Sequence, residues 1–303
     1  MKNLVFDIGG TAIKYGICEN DKLLQVNEIP TNALMGGRHV MDTLTGLIRS
    51  IAGNTECDAI GISTAGQVDS SKGSIIYANS NLPDYTGTQI RRELENIFHL
   101  PVAVENDVNS AAIGEAAYGA GQEYPDFLCL TYGTGVGGAI VHNKQIYHGS
   151  SFSAGEFGAI VTHGAAKTFG SDFFDGCYER YASTTALVNS ASAFHPSLTD
   201  GRKIFERIGD EEIKAVVDCW ITEILFGLTT LIHIFNPSCI ILGGGIMVQP
   251  YIIEQIKSKI GQSIMPSFAH VEIKPAALGN NAGLLGANYL AAQYKSQCGN
   301  KEI

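Results

Sequence analysis

The chain is poor in charge, and poorest in positive charge. Only 17% of its 303 residues are Asp, Glu, Lys or Arg, and 20 Lys+Arg against 30 Asp+Glu give a formal net charge of −10. Nucleic acid and anionic membrane both demand a basic surface, so neither is expected as a partner. No two cysteines stand in a CxxC spacing, and the seven present (Cys18, Cys57, Cys129, Cys177, Cys219, Cys239, Cys298) are an odd number. Several lie in apolar runs such as CLTYG and CIILGG, where a free thiol behaves as a small buried hydrophobe. The longest apolar stretch, Ile213 to Phe235, is broken by Lys214, Asp218, Glu223 and His233, and does not read as a membrane span. The opening MKNLVFDIGG runs straight into a strand pattern, so no signal peptide is expected. Linkers, low-complexity tracts and charge blocks are missing too. Together these absences point to a soluble cytoplasmic protein.

What is abundant is glycine, 35 residues, in a chain that is 45% hydrophobic. That length and apolar content suit two ordinary domains. Strand-like runs at Leu4–Ile8, Ala12–Cys18 and Leu23–Ile29 are separated by tight turns. Helical periodicity follows over Val40–Ile51, then a strand Ala59–Ser63, a helix Gln89–Phe98, a strand Val102–Val104 and a helix from Asp107 towards Gly119. From Phe127 the pattern restarts. FDIGGTAIKYGI and LTYGTGVGGAIV both read as apolar strand, glycine hairpin, apolar strand, a two-copy internal repeat. The second half continues with helices over Cys177–Phe194 and Glu211–Phe235, a strand Cys239–Leu242 running into Gly243-Gly244-Gly245, a strand Val271–Ile273 and a last helix from about Ala282. The expectation is a mixed α/β sheet covered by helices in each half. The boundary falls near Gly119–Gly121, giving domains 1–118 and 119–281, with a C-terminal helix of about 282–296 packing back on the first. A duplicated domain with one glycine hairpin per half suggests a ligand held between the halves.

Familiar catalytic motifs are missing: there is no GxxxxGK[ST] loop, no HRD with DFG, and no HExxH. Gly133, Gly135 and Gly138 satisfy GxGxxG, but AIVHN after them reads as a strand where a dinucleotide site needs a helix. Ser63 in GISTAG misses the GxSxG elbow by its last glycine. Asp7-Ile8-Gly9-Gly10-Thr11 ends a strand and opens a hairpin. Gly9 and Gly10 would let backbone N–H groups approach a phosphate, Thr11 adds a hydroxyl, and Asp7 is placed to hold Mg²⁺ through water. A plain glycine hairpin with a buried Asp would look the same. Gly133-Thr134-Gly135 repeats the turn, and two such turns can clamp one polyphosphate. Gly243-Gly244-Gly245 offers a flat backbone for a base or ribose, or is simply a strand-to-helix turn. Glu105-Asn106-Asp107-Val108-Asn109 joins a strand to a helix, where ligands of α/β sheets bind. Asp107 near a helix N-terminus is expected to have a lowered pKa and to stay ionised, as a base for phosphoryl transfer. Alternatively, Asp107 or Asn106 only caps the helix.

These pieces in this order resemble the ROK family (repressor, open reading frame, kinase). FDIGGTAIKYG, AVENDVNSAAIGEAAYG, LTYGTGVGGAIV, SAGEFG, DGCYERYAS, IILGGG and NNAGLLGA carry the resemblance, which spans nearly the whole chain. It implies a two-domain actin-like, ribonuclease-H-like fold with a cleft between domains, and ATP-dependent phosphorylation of a hexose. By the same resemblance Asp107 matches the catalytic base and Asn106 its sugar-binding neighbour. Glu156 and Glu179 match acceptors of sugar hydroxyls, although a pair of solvated surface carboxylates is the plain alternative. Gly66 and Asn81 fall at positions beside the sugar. Gly9, Gly10, Thr11, Lys14, Thr134 and Gly135 match the phosphate elements, and Gly244 the nucleoside side. A homodimer is also implied.

One departure is large. Many members carry a His after GEFG or GEIG and two further cysteines ahead of GCxE, forming a His-Cys₃ zinc site. Here those positions read Ala159, Gly170 and Asp172, and only Cys177 remains. The expectation is ATP and Mg²⁺ but no zinc, as in the β-glucoside kinases and some N-acetylmannosamine kinases of the family. The loop Gly164–Phe174, without metal, is expected to pack through Phe169, Phe173 and Phe174. Two other readings stay open: a sugar-sensing regulator, for which the strand at Leu4 leaves no preceding helix-turn-helix, and another actin-like phosphotransferase acting on a carboxylate or glycerol.

Overall fold

Asn20 and Asp21 both adopt positive φ (50° and 64°) between two strands, the backbone that a two-residue type I′ hairpin requires. Asn143 and Lys144 (φ 50° and 62°) make the corresponding turn in the second half. The internal repeat is thus visible even in its turns. A computed structural model describes residues 1–53 and 55–299. One unit comprises Met1–Gly119, Ile146–Ala154 and the chain from Asn281; the other comprises Ala120–Gln145 and Gly155–Asn280.

The first unit is built on strands β1 (Lys2–Ile8), β2 (Ala12–Glu19), β3 (Lys22–Pro30), β4 (Ala59–Thr64) and β7 (Val102–Asn106), in the order β3-β2-β1-β4-β7. The first three are antiparallel, whereas β1, β4 and β7 run parallel. A short hairpin of β5 (Gln67–Asp69) and β6 (Ser74–Tyr77) follows β4. Strand β4 is buried along its whole length, as a central parallel strand covered on both faces must be. On one face Leu4, Phe6, Ile8, Ile60 and Ile62 meet Val40, Met41, Leu44 and Ile48 of helix α1 (Gly37–Ala52). Helix α2 (Ile90–Phe98) adds Ile90 and Leu94 to this core. On the other face Val5 packs with Leu284, and Ala59 and Ala103 with Ala291, from the C-terminal helix Ala282–Gly299.

That C-terminal helix lies against α3 (Asp107–Tyr118) with backbones nearly touching. A Cβ on Gly286 would sit 1.7 Å from Ser110 O, and one on Gly114 would sit 2.5 Å from Ala282 O. Only glycine admits this approach.

The second unit repeats the topology with β8 (Phe127–Tyr132), β9 (Val136–His142), β10 (Gln145–Ile146), β11 (Cys239–Gly243) and β12 (Glu272–Pro275), in the order β10-β9-β8-β11-β12. Its helices are α4 (Tyr178–Ala182), α5 (Thr184–Phe194), α6 (Gly201–Glu206), α7 (Glu211–Phe235) and α8 (Pro250–Ile260). By length and composition α7 could cross a membrane. Its Ile213, Val217, Ile221, Ile224, Leu228 and Leu231, however, are buried in one core with Leu128, Leu130, Ile240 and Leu242. It is a core helix.

The single helix expected over Cys177–Phe194 is two helices. Ser183 leaves helical geometry (φ −67°, ψ 160°) and its side chain accepts the Ala186 N–H as the cap of α5. Trp220 Nε1 donates to the carbonyls of Ala182 and Ser183 at 3.0 Å, satisfying the end of α4. Apolar periodicity runs through a capped break without marking it.

Gly286→Ala is expected to cost about 1–3 kcal/mol, the usual range for overpacking. Urea denaturation should show a lowered midpoint; an unchanged one would mean that the two helices part without penalty.

Candidate active site

Parallel strands of one sheet end side by side, and the first unit uses this. Asp7 on β1 is the register partner of Ser63 on β4, which is the partner of Glu105 on β7. Three polar residues are thereby lined up at the carboxyl edge, where α/β sheets hold ligands. Ser63 Oγ donates to Asp7 Oδ1 at 2.6 Å. Asn106 is the cap of α3: its Oδ1 accepts the N–H groups of Val108 (2.9 Å) and Asn109 (3.1 Å). Its Nδ2 donates to Gly66 O at 3.0 Å and to Asp107 Oδ1 at 2.9 Å. Gly66 sits at φ +96°, with Tyr77 O close to where a Cβ would be, so a side chain there is excluded twice over. Asp107 itself opens the helix and accepts the Val108 N–H at 2.9 Å.

The lowered Asp107 pKa expected from the helix dipole is not found. Burial, and then the neighbouring Asp7 charge, push it up to about 7, against the pull of the Val108 N–H and the Asn106 side chain. Desolvation outweighs the dipole here because the carboxyl is half-buried while a second carboxyl stands nearby. Asp7 is also raised, by burial first, with the Ser63 hydroxyl and Lys14 drawing it back. Two carboxyls held up by burial, one of them also by the other's charge, make a fitting place for a divalent cation, which would favour their ionised forms.

The first glycine hairpin is stitched shut at Gly9. Its N–H donates to Ala12 O at 3.0 Å and its carbonyl accepts from Thr31 Oγ1 at 2.6 Å. That N–H is therefore already spent. Gly10 and Thr11 are exposed beside it, and Lys14 pairs in register with Asp7. Asn81 lies on an exposed loop, its N–H donating to Asn79 Oδ1 at 3.0 Å.

In the second unit Glu179, in the first turn of α4, accepts the Val136 N–H at 2.9 Å. Its carboxylate fills the space beside Gly135, where a Cβ would stand 2.1 Å from Oε2. It is half-buried and fixed by the hairpin, so the surface-carboxylate alternative fails for it. Glu156 is exposed, just ahead of the turn Phe157–Ala159. A cavity of about 900 Å³ opens beside the hairpin, lined among others by Gly133, Thr134, Thr184, Thr185, Lys203 and Gly245. That volume suits a nucleoside-sized ligand. Thr184 N donates to Gly133 O at 3.0 Å and Thr185 Oγ1 to Thr134 O at 2.9 Å, tying α5 to the hairpin. Gly244 (φ +104°) has its backbone against Tyr132, with no room for a Cβ. Gly135 and Gly244 shape the wall from behind, while the neighbours Thr134 and Gly245 face the space. The lining from α5 and α6, with Thr184, Thr185, Arg202 and Lys203, was not anticipated. Its only trace in the sequence is a hydroxyl pair and a cation pair at two helix starts, too common to single out.

The zinc-like positions are held otherwise. Asp172 pairs with Arg180, Lys167 donates to Phe173 O, and Cys177 Sγ approaches Phe173 O at 3.4 Å. His163 stacks on Tyr181 at 3.7 Å and meets Glu223 at 3.4 Å. Aromatic packing of the loop is not what holds it: Phe169 is 94% and Phe173 66% exposed. Phe173 stacks edge-on with Phe174 at 5.1 Å and nothing more central results. Polar pairs hold the loop. Aromatics in a short surface loop have no core within reach.

Carboxyl ¹³C NMR should place the Asp107 titration near pH 7, and Asp7→Asn, by removing the like charge, should move it lower. An Asp107 titrating in the ordinary carboxylate range would refute the burial assigned to it.

A match to the ROK family spans residues 4–294. A β-glucoside kinase from Listeria monocytogenes is 35% identical over 303 residues, covering 95% of this chain and 97% of that protein. The ROK hexokinase structure from Thermus thermophilus aligns with a TM-score of 0.82 at 29% identity, covering 98% of this chain and 100% of that one. A ROK family glucokinase from Streptomyces griseus, solved with glucose and AMPPNP, gives a TM-score of 0.82 at 30% identity, with 97% and 100% coverage. The duplicated sheets are those of the actin-like, ribonuclease-H-like fold that these structures share. The chain belongs to the ROK family.

Proposed function

We propose that the protein is an ATP-dependent sugar kinase, transferring the γ-phosphoryl group to a hydroxyl of a hexose or hexose derivative, by family analogy the 6-hydroxyl. The observation that carries this reading is Asp107, a carboxylate fixed at the start of α3 by Asn106 and Val108 with its pKa raised to about 7. A base poised near the working pH takes a hydroxyl proton best. Asp107 accepts that proton as the hydroxyl oxygen attacks phosphorus, and the bond to the leaving ADP breaks. Positioning and charge neutralisation carry most of phosphoryl transfer, so no covalent step is needed.

Asn106, Gly66, Glu156 and Glu179 are assigned to sugar hydroxyls, with Asn81 as a lesser candidate. Carboxylate and amide acceptors suit a ring of hydroxyl donors. Gly10, Thr11 and Lys14 are assigned to the phosphate groups with Thr134 and Gly135, Gly9 only to closing the hairpin that presents them, and Gly244 to the nucleoside side with the cavity beside it. Asp7 would hold Mg²⁺ through water, and the ion when bound would neutralise phosphate charge. The substrate is of glucose, β-glucoside or N-acetylmannosamine type, and the 35% identity to a β-glucoside kinase supports the second. The reading includes a cytoplasmic homodimer without nucleic-acid or membrane partners. Phe226 and Ile234, exposed on one side of α7 (47% and 66%), offer it apolar surface.

A coupled ADP-release assay over glucose, N-acetylmannosamine, mannose, fructose and cellobiose should find ATP-dependent turnover with at least one. Asp107→Asn should lower kcat by about 10²–10⁴-fold, the usual worth of a general base, with sugar binding by calorimetry largely kept. An active variant sinks the assignment. Elemental analysis of the purified protein should return no stoichiometric zinc, and one tightly bound equivalent would overturn the reading of Ala159, Gly170 and Asp172.

A further inference from the structure

The segment Ile146–Ala154 folds with the first unit, although the chain on either side of it belongs to the second. Its polar tie is His148. Nε2 lies 2.7 Å from Glu105 Oε2 and 3.2 Å from Ser70 Oγ, with the Phe152 ring 5.6 Å from the imidazole. Glu105 is only 3% exposed. Its other oxygen, Oε1, accepts the Asn106 N–H at 2.8 Å and Asn109 Nδ2 at 3.1 Å. The two oxygens therefore have separate duties: one fixes the first turn of α3, and the other is fixed by His148. A carboxylate gripped on one side only can rotate. The imidazole sets its plane, and with it the residue that caps α3 and bonds to Asp107.

The far side of the imidazole is equally well founded. Ser70 sits on the β5–β6 turn, whose carbonyls at Ser70 and Ser71 accept Arg91 Nη2 (2.8 Å) and Nη1 (2.6 Å). Arg91 Nε reaches Val102 O at 2.7 Å on β7, so this buried guanidinium joins the turn to the strand that carries Glu105. Around the imidazole stand Glu105, Asp69, Ser70 and Phe152, two of them acidic. Burial alone would lower the His148 pKa, but the Glu105 bond and the Glu105 and Asp69 charges raise it, which favours the protonated donor.

We propose that His148 is a positioning residue for the reaction, orienting Asp107 through Glu105 and Asn106 while touching no reacting atom. The inference rests on the kinase reading for its catalytic meaning, though not for the tie itself. His148→Ala in the full chain should lower kcat for sugar phosphorylation at least tenfold with the KM for ATP within twofold. The acid limb of the pH profile should move to higher pH, because the Asn106 bond that draws the Asp107 pKa down is loosened. His148→Gln, which places an amide donor near the position of Nε2, should recover most of kcat and return the limb. Amide exchange at Val108 and Asn109 should quicken in the Ala variant and recover in the Gln variant. Wild-type kcat and limb in His148→Ala would overturn the proposal, as would a loss that Gln leaves unrepaired with no limb shift. If the wild-type protein turned over no sugar, the kinase reading would fail, and the exchange data alone would decide the tie: unchanged exchange in His148→Ala overturns it.

Discussion

The side chain of Asn106 is the joint on which the start of α3 and the place of Asp107 depend. One oxygen terminates a helix that would otherwise present bare N–H groups, and one nitrogen spans the gap between the turn at Gly66 and the carboxyl of Asp107. No other uncharged side chain offers an acceptor and a two-hydrogen donor in that arrangement, apart from the longer Gln. Capping and chemistry are thus not rival explanations of the Glu-Asn-Asp run. The cap gives Asp107 its place, and the sheet edge supplies the desolvation that raises its pKa.

Much of the fold was legible because it is written in periodicity and repetition. Strands β1, β2, β8 and β9 and helices α1 and α7 show in apolar spacing, and the two glycine hairpins announce the duplication. What stayed hidden has local physical reasons. Ser183 interrupts a helix without interrupting its apolar stripe. The excursion Ile146–Ala154 belongs to the first unit, where His148 bonds to Glu105, and a lone His in HGSS carries no such address.

The candidate site was legible in part. The strand-end motifs DIGGT and ENDVN singled out Asp7 and Asp107, whereas Glu179 came only from the family resemblance. The sign of the Asp107 pKa shift was not readable, because the dipole can be inferred from a helix start whereas burial and the approach of Asp7 exist only in three dimensions. The cavity's hydroxyl and cation lining comes from ordinary helix starts, and the glycine-rich turns that drew notice stand partly behind it. In the loop at Gly164–Phe174, three aromatics suggested packing, while the residues that hold it are Lys167, Asp172 and Arg180.

The close seat of the C-terminal helix on α3 and the first sheet bears on how the protein is made. The first unit contains the beginning of the chain, a short excursion from its middle, and its last helix. On the ribosome its sheet can pair early, but the face bearing Val5, Ala59 and Ala103 stays bare until Leu284 and Ala291 are synthesised. The second unit, formed from a more continuous stretch, can close first. The order of assembly therefore reverses the order of synthesis, and the nascent first unit must carry exposed apolar surface for most of translation.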